Sequence, residues 1–257
     1  MRSIWRLGLA GVVVALVGCG GGGGGGGIVP APANQSASGI WNGTLSQGGA
    51  IVNDATCLVT EAKEAACILI DPANGAFAGA AHGTVQVANV NQISGSGTAY
   101  AAPGYVLADG SSVVANFTIS SGTVSERNTI NLVLSSLGQS STFSGTFDPI
   151  YDRDSSLATV AGSYAAFDVY GDPASFSIDS NGALFSQSQS GCVGNGQVSI
   201  IDSRFNGYAV DVTVSNCPGL NGSYSGLAVT LDFAATNDVF LFGVFNSLAA
   251  ILGAPVK

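Results

Sequence analysis

The sequence VDVTV at residues 210–214 decides the fold class, because valine alternates with a polar residue at every second position. Successive side chains of a β-strand point to opposite faces, so such a strand buries one face and exposes the other to water. The sequence NFTIS at residues 116–120 repeats the alternation. Both stretches predict antiparallel sheets that pack one face in a core.

Turn residues separate further stretches of this kind. After residue 37, Gly, Asn-Gly, Asp-Gly or Ser-Gly recurs every eight to twelve residues, which is typical of sandwiches and barrels. Gly is abundant and Glu, a common residue of helix surfaces, is scarce. We predict an all-β fold of two tandem small antiparallel β-barrels or sandwiches after a disordered Gly-rich tether. The predicted strands are residues 38–45, 83–90, 113–120, 129–134, 141–147, 162–169, 174–178, 197–201, 209–214, 222–231 and 239–245.

Two sequence repeats indicate two copies of one β unit. GIW at residues 39–41 matches GSY at 162–164, and GTV at 83–85 matches GQV at 196–198 in the same order. Each unit would hold enough residues for its own hydrophobic core. The predicted units are a first β domain at residues 38–150, a linker with a short helix at 151–161 and a second β domain at 162–257.

The C-terminal residues 239–257 are apolar enough to suggest a transmembrane segment. Asn246, Ser247 and Gly253 interrupt the apolar sequence. We therefore predict a closing hairpin of residues 239–245 and 249–256, with insertion into a membrane or a partner as the alternative.

The first 19 residues have the three parts of a secretory signal. Arg2 and Arg6 precede an apolar stretch at residues 7–17, and small Gly18 stands before Cys19. The apolar stretch is shorter than the roughly 20 residues that cross a bilayer core. The sequence LVGC at residues 16–19 resembles the bacterial lipobox. This resemblance implies a signal peptide of residues 1–18, diacylglycerol on the Cys19 thiol and an acylated N-terminus, including palmitate; an ordinary signal peptide is the alternative.

The residues that follow predict a tether and a destination. Eight Gly at residues 20–27 behave as a flexible coil within the predicted segment 19–37 of lipidated Cys and tether, and the some 17 residues from 20 to about 36 reach roughly 21–25 Å on average. In lipobox proteins an Asp after the lipidated Cys retains the protein at the inner membrane. Gly20 stands there instead, so the resemblance implies the outer membrane, with the periplasmic or surface-facing side left open.

Two further resemblances concern the folded part. A poly-Gly stretch after the lipidated Cys is similar to the surface lipoproteins of the transferrin-binding type. The Gly-x-Trp sequence at residues 39–41 resembles the start of lipocalin-like β-barrels, although an aromatic side chain fills one end of many β cores.

Four cysteines other than Cys19 are candidates for disulfides. Cys57 and Cys67 lie in the first half, and Cys192 and Cys217 lie in the second. Four thiols allow three pairings, and the oxidising envelope together with this distribution favours one pair in each half. Neither pair has Cys-x-x-Cys spacing, so we predict no metal site.

Charge and side-chain chemistry exclude several functions. Without Arg2 and Arg6 the chain keeps five Lys and Arg against 16 acidic residues, which disfavours nucleic-acid binding. The single histidine, His82, is predicted in an exposed loop, so a serine nucleophile has no evident base. We predict no catalytic residue and no cofactor. The weak alternatives are carboxylate pairs, Asp202 with Asp211 or Asp168 with Asp172, and a calcium loop around Asp148, Asp152 and Asp154.

The favoured function is a lipid-anchored outer-membrane lipoprotein with a non-enzymatic binding, adhesion or envelope-structural role. One alternative is a lipocalin-like carrier of a small apolar ligand, and another is a carboxylate-dependent hydrolase. The expected partners are the membrane, through the lipid anchor, and a protein, a glycan or a small apolar ligand. Phe205 and Tyr208 flank a turn and are the candidate contact surface.

Overall fold

A computed structural model of the chain describes residues 32–107, 110, 113–167 and 172–257. Residues 33–257 form one compact unit. The predicted signal peptide, Cys19, most of the tether and Asp168 lie outside the described residues. The all-β prediction is confirmed, and the strands form two antiparallel sheets of eight strands each.

The first sheet is a closed barrel in which each strand pairs with the next in sequence, and the first strand pairs with the eighth. The closing pairs run from Ile40 with Asp148 to Gln47 with Ser141. Its strands are β1 (Gly39–Gln47), β2 (Ala50–Val59), β3 (Glu64–Ile70), β4 (Phe77–Ala88), β5 (Gln92–Ala101), β6 (Val114–Ser125), β7 (Thr129–Ser136) and β8 (Gln139–Asp148).

The second sheet follows a 3₁₀ helix at Pro149–Asp152 and a short helix α1 at Leu157–Val160. Its ends meet through the C-terminal residues, because Val256 exchanges main-chain hydrogen bonds of 2.8 and 3.1 Å with Ala165 and also bridges to Val239. Its strands are β9 (Gly162–Phe167), β10 (Pro173–Ile178), β11 (Ala183–Ser188), β12 (Val193–Ile200), β13 (Tyr208–Ser215), β14 (Gly222–Leu231), β15 (Val239–Phe245) and β16 (Ala250–Gly253).

The repeated aromatic position has the same role in both sheets. Trp41 in β1 is fully buried and donates from Nε1 to the Ala37 carbonyl at 2.9 Å. Tyr164 in β9 is also buried and donates from its hydroxyl to the Val160 carbonyl at 2.6 Å. Each ring therefore fastens the chain that enters a sheet to the first strand of that sheet.

The sequence did not predict four of the strands, namely β2, β3, β5 and β11. The residues of β5 show why a strand can escape prediction. Its sequence SGSG at residues 94–97 has the composition of a turn. A Cβ atom at Gly97 would overlap the His82 carbonyl oxygen on the paired strand and would lie 2.8 Å from Phe117. These glycines therefore permit the close approach of neighbouring strands inside the barrel wall.

The outer wall of the barrel packs against the second sheet. Ile40, Leu58 and Ile68 of the barrel share a buried apolar cluster with Leu227 and Phe245. The Tyr100 hydroxyl also donates to the Asn246 carbonyl at 2.8 Å. The side of the barrel formed by β1 to β5 is thus covered by β14 to β16.

This packing explains the apolar C-terminus. Six of the seven residues of β15 are buried, because one face meets the core of its own sheet and the other meets the barrel. A strand that is buried on both faces has a nearly continuous apolar sequence. The predicted hairpin is confirmed as β15 and β16. Among the described residues, no helix has the length and apolar character needed to cross a membrane.

Asn206 ties the linker to the second sheet. It is buried, and its amide donates to the Thr230 carbonyl at 2.7 Å while its side-chain oxygen accepts from the Thr230 N–H at 2.9 Å. The same amide donates to the Ile150 carbonyl at 3.3 Å, and the Asn206 N–H donates to the Tyr151 carbonyl at 2.9 Å. One side chain thus fixes the short connection between the barrel and the second sheet.

We expect Asn206→Ala to lower the free energy of unfolding by about 3 kcal/mol, because buried backbone groups of Thr230 would lose their partners. Urea denaturation followed by circular dichroism measures the change. Asn195→Ala is the matched control, because Asn195 is exposed on β12, and we expect a change within about 0.5 kcal/mol. Equal losses in the two variants would contradict the role of Asn206.

Candidate functional site

A cavity of about 430 Å³ lies inside the closed barrel. Pockets that hold small molecules measure roughly 300–1,000 Å³ and are mostly apolar, so both the size and the wall suit a small ligand. Most lining side chains are apolar: Trp41, Leu45, Ala55, Val59, Leu69, Val85, Ala99, Ala115, Phe117, Ile119, Ile130, Leu132, Leu134 and Phe143.

The residues before β1 close one end of this cavity. The Asn34 side chain accepts from the Val90 N–H at 2.9 Å, and the Gln35 N–H donates to the Val90 carbonyl at 2.6 Å. The Ser36 N–H donates to the Glu126 carboxylate at 3.0 Å. These bonds reach the turns that follow β4 and β6. The entering chain therefore lies across the end of the barrel that these turns form.

The opposite end is the mouth of the cavity. Tyr105, Val106 and Leu107, which follow β5, line the cavity together with Asp71 after β3 and Gln139 at the start of β8. All these positions lie at the barrel end away from Asn34, because consecutive strands run in opposite directions.

Small side chains create the space. Ala81, Ala99, Ala115 and Ser141 line the cavity on β4, β5, β6 and β8, in the halves of these strands nearer the mouth. The end near Asn34 is filled by larger buried side chains, namely Trp41, Val85, Ile93, Val124, Ile130 and Phe143. The cavity is therefore deep, with a packed floor.

The core of the second sheet has a different composition. The ring of Phe176 lies 5.6 Å from that of Tyr164 and 5.7 Å from that of Phe242, measured between centroids. Tyr208 and Phe240 complete this aromatic cluster at 6.3 Å. Aromatic rings therefore fill the interior of the second sheet, whereas small residues leave the interior of the barrel open.

Each of the two disulfides joins cysteines of the same sheet, one disulfide in each sheet, as the sequence favoured. Cys57 and Cys67 face each other across β2 and β3, and both line the cavity. Cys192 pairs with Cys217, which joins the residue before β12 to the turn after β13. The first disulfide is therefore part of the cavity wall.

Polar groups gather at the mouth. The Tyr105 hydroxyl donates to one Asp71 carboxylate oxygen at 3.2 Å, and the Ala73 N–H donates to the other at 2.9 Å. The Asn74 side chain donates to the Tyr105 hydroxyl at 3.3 Å. Gln47, Asn53, Ser136 and Gln139 also line this part of the cavity. An apolar interior below a polar mouth suits a molecule with one apolar and one polar end.

Exposed apolar side chains surround the same mouth. Ile51 is 58% exposed beside the turn between β1 and β2, and Leu137 is 80% exposed in the turn between β7 and β8. Val106 and Val113, between β5 and β6, are 68% and 59% exposed. Apolar side chains at a cavity opening commonly mark a binding surface.

His82 lies in strand β4, and the prediction of an exposed loop was wrong. Its ring is half-buried and stacks on Phe245 of the second sheet, with centroids 4.9 Å apart. Burial lowers the pKa of His82, and the nearby Glu64 carboxylate opposes this shift. His82 therefore belongs to the contact between barrel and sheet.

The candidate contact surface at Phe205 and Tyr208 also needs correction. Tyr208 is fully buried and donates to the Ser156 carbonyl at 3.3 Å. Phe205 stacks on Tyr151, with centroids 4.9 Å apart. The turn folds back onto the linker, so these aromatic rings stabilise the protein's own interior. The sequence showed their apolar character but not the surface that they meet.

Of the carboxylate candidates, Asp168 lies outside the described residues, so its pairing with Asp172 stays a prediction, while Asp202 is engaged by an arginine. Arg204 binds Asp202 at 2.6 Å and lowers the pKa of that carboxyl to about 2. A general acid needs a raised pKa, so Asp202 has no proton to donate near neutral pH. In the proposed calcium loop, Asp148 accepts from the Ile150 N–H and Asp152 forms an ion pair with Arg127.

Comparisons with known proteins add little to this geometry. No protein-family model matches the sequence. No curated protein sequence matches it. Among solved structures, the chain is similar to a candidate outer membrane protein from Bacteroides fragilis NCTC 9343. The two are 12% identical over 85% of this chain and 96% of that chain, with a TM-score of 0.28, and so low a score supports no conclusion.

The lowered pKa of His82 predicts a pH dependence of stability. The unfolded chain binds a proton at His82 near pH 6.5, before the folded chain does, so stability falls as the pH drops below 6.5. Well above pH 6.5 this group does not affect stability, because His82 is then neutral in both states. Urea denaturation at several pH values measures the effect.

His82→Gln provides the comparison, because glutamine does not titrate. We expect the difference in unfolding free energy between wild type and variant to change between pH 7.5 and 5. A constant difference across this range would show that His82 has the same pKa in both states.

Proposed function

We propose that this protein is a lipid-anchored outer-membrane lipoprotein whose closed barrel binds a small ligand with a large apolar part, without catalysis. The observation that carries the proposal is the cavity of about 430 Å³ with its apolar wall and polar mouth. Barrels of eight strands are wide enough to hold one small ligand. Of the functions considered from the sequence, the carrier fits this cavity best.

The cavity supports binding over catalysis. Its wall combines apolar side chains with a disulfide, and its polar groups are concentrated at the mouth. The single histidine, His82, is among the residues that line the cavity, but its ring stacks on Phe245 of the second sheet and is engaged in that contact. A passive binding site needs only the shape and the apolar surface that the barrel provides.

The lipobox supports the anchored location. An acylated Cys19 would carry two or three acyl chains, which hold a protein on a membrane far more firmly than one chain. The tether leads to Asn34, which is bonded at the closed end of the barrel. Asn34, near the start of the described residues, thus lies at the end of the barrel away from the mouth.

The cavity predicts saturable binding of an uncharged apolar dye. For this measurement an ordinary cleavable signal peptide replaces residues 1–19, so that the exported chain begins at Gly20. This chain retains every described residue. We expect Nile red to bind with increased fluorescence. Ala115→Trp should weaken binding by about tenfold or more, because the indole would occupy the cavity.

Ala88→Trp is the matched control, because Ala88 is exposed at the end of β4 beside the closed end. We expect its affinity for Nile red to equal that of the wild type. Circular dichroism checks that both variants are folded. Absence of binding to the wild type, or equal binding by the Ala115→Trp variant, would refute the carrier function.

The anchor is tested in cells that are supplied with radioactive palmitate. We expect the wild-type protein and a Gly24→Ala control to incorporate the label, and a Cys19→Ser variant to lack it and keep its first 18 residues. Labelling of the Cys19→Ser variant, or absence of label from the wild type, would contradict the lipobox prediction.

A further inference from the structure

The barrel has few basic side chains, and their positions restrict the chemistry of the mouth. Between residues 34 and 148 the sequence contains only Lys63, Arg127 and His82 as basic residues. Lys63 lies in the turn between β2 and β3, and Arg127 lies in the turn between β6 and β7. Both turns are at the closed end, and Arg127 is paired there with Asp152.

The basic residues of the second sheet are also engaged elsewhere. Arg153 binds Asp232 at 2.6 Å, and Arg204 binds Asp202. Lys257 donates to the Thr159 carbonyl at 2.5 Å. Among the described residues, no lysine or arginine lines the cavity.

In the part of the chain that the structure describes, the carboxylate that lines the mouth is that of Asp71. The Tyr105 hydroxyl and the Ala73 N–H hold it in place. The amide side chains that line the same part of the cavity are those of Gln47, Asn53 and Gln139, and amides both donate and accept hydrogen bonds. Among the described residues, the mouth thus offers the Asp71 carboxylate and neutral polar groups, without a lysine or arginine to compensate the charge.

This arrangement discriminates between ligand head groups. The amides can donate to an anionic head as well, but Asp71 would repel it and no lysine or arginine among the described residues would compensate its charge. A neutral polar head can hydrogen bond to the amides, and a cationic head is attracted to Asp71. Burial of the apolar tail in the cavity contributes the same binding free energy for the anionic, the neutral and the cationic ligand.

We infer that the barrel selects a neutral or cationic amphiphile and discriminates against an anionic one such as a free fatty acid. This inference rests on the proposed function, since it names the class of ligand that the same cavity accepts. Specificity arises at the mouth, between Asp71 and the ligand head group, while affinity arises from the apolar interior.

The test compares three ligands with the same tail of twelve carbons: dodecanol, dodecyltrimethylammonium and dodecanoate. The affinity of each ligand is measured by its displacement of Nile red from the exported chain that begins at Gly20. The measurement is made at low salt and pH 7.5, with each ligand below the concentration at which it forms micelles. We expect dodecanol and dodecyltrimethylammonium to bind about tenfold or more tightly than dodecanoate.

Asp71→Asn tests the residue itself, because asparagine loses the charge while its oxygen can accept from the Ala73 N–H and its amide can donate to the Tyr105 hydroxyl oxygen. We expect the preference for dodecyltrimethylammonium over dodecanoate to fall to about threefold or less. Asp54→Asn is the matched control, because Asp54 is exposed on β2 outside the cavity lining, and its preference should equal that of the wild type.

The outcomes separate this inference from the proposed function. Equal binding of dodecanoate and dodecanol by the wild type would overturn the inference and leave the carrier function intact. An unchanged preference in the Asp71→Asn variant would overturn the role of Asp71. Absence of binding by Nile red and by all three ligands would refute the carrier function itself.

Discussion

The pairing of β1 with β8 is the constraint on which the cavity depends, because it turns a sheet with two exposed edges into a closed wall. Gly43 and Gly145 face each other in this pairing. A Cβ atom at Gly43 would overlap the Ser144 carbonyl oxygen, so the two strands approach too closely for any side chain. Gly83 and Gly97 have the same relation between β4 and β5. The glycines therefore allow the wall to close around a small interior.

A closed wall alone does not make a cavity, and the two sheets show the difference. The barrel places Ala81, Ala99 and Ala115 where a ligand can lie, while the second sheet fills its core with rings such as Phe176 and Phe240. The barrel can therefore bind a ligand in its interior, and the second sheet, with its packed core, supports the barrel. The support covers the side of the barrel formed by β1 to β5, so the cavity wall is backed by a second packed layer over that region.

The contact between the sheets also explains residues whose character is otherwise puzzling. β15 is apolar on both faces because it has a core on each side, and His82 has a lowered pKa because it lies against that strand. Asn206 keeps the short linker in register with β14 through buried hydrogen bonds. Together these contacts make residues 33–257 one compact unit.

Local sequence determined the fold class, the closing hairpin and the distribution of cysteines, because alternation, turn residues and spacing act over a few neighbouring positions. It also supplies the lipobox, which stays a prediction. Tertiary structure alone decided that the first sheet is hollow, that Tyr208 is buried and that Asp71 stands at a mouth without a lysine or arginine among the described residues. Those properties depend on which distant strands pair, and a strand such as β5, with its turn-like SGSG, has no local pattern that reveals its partners.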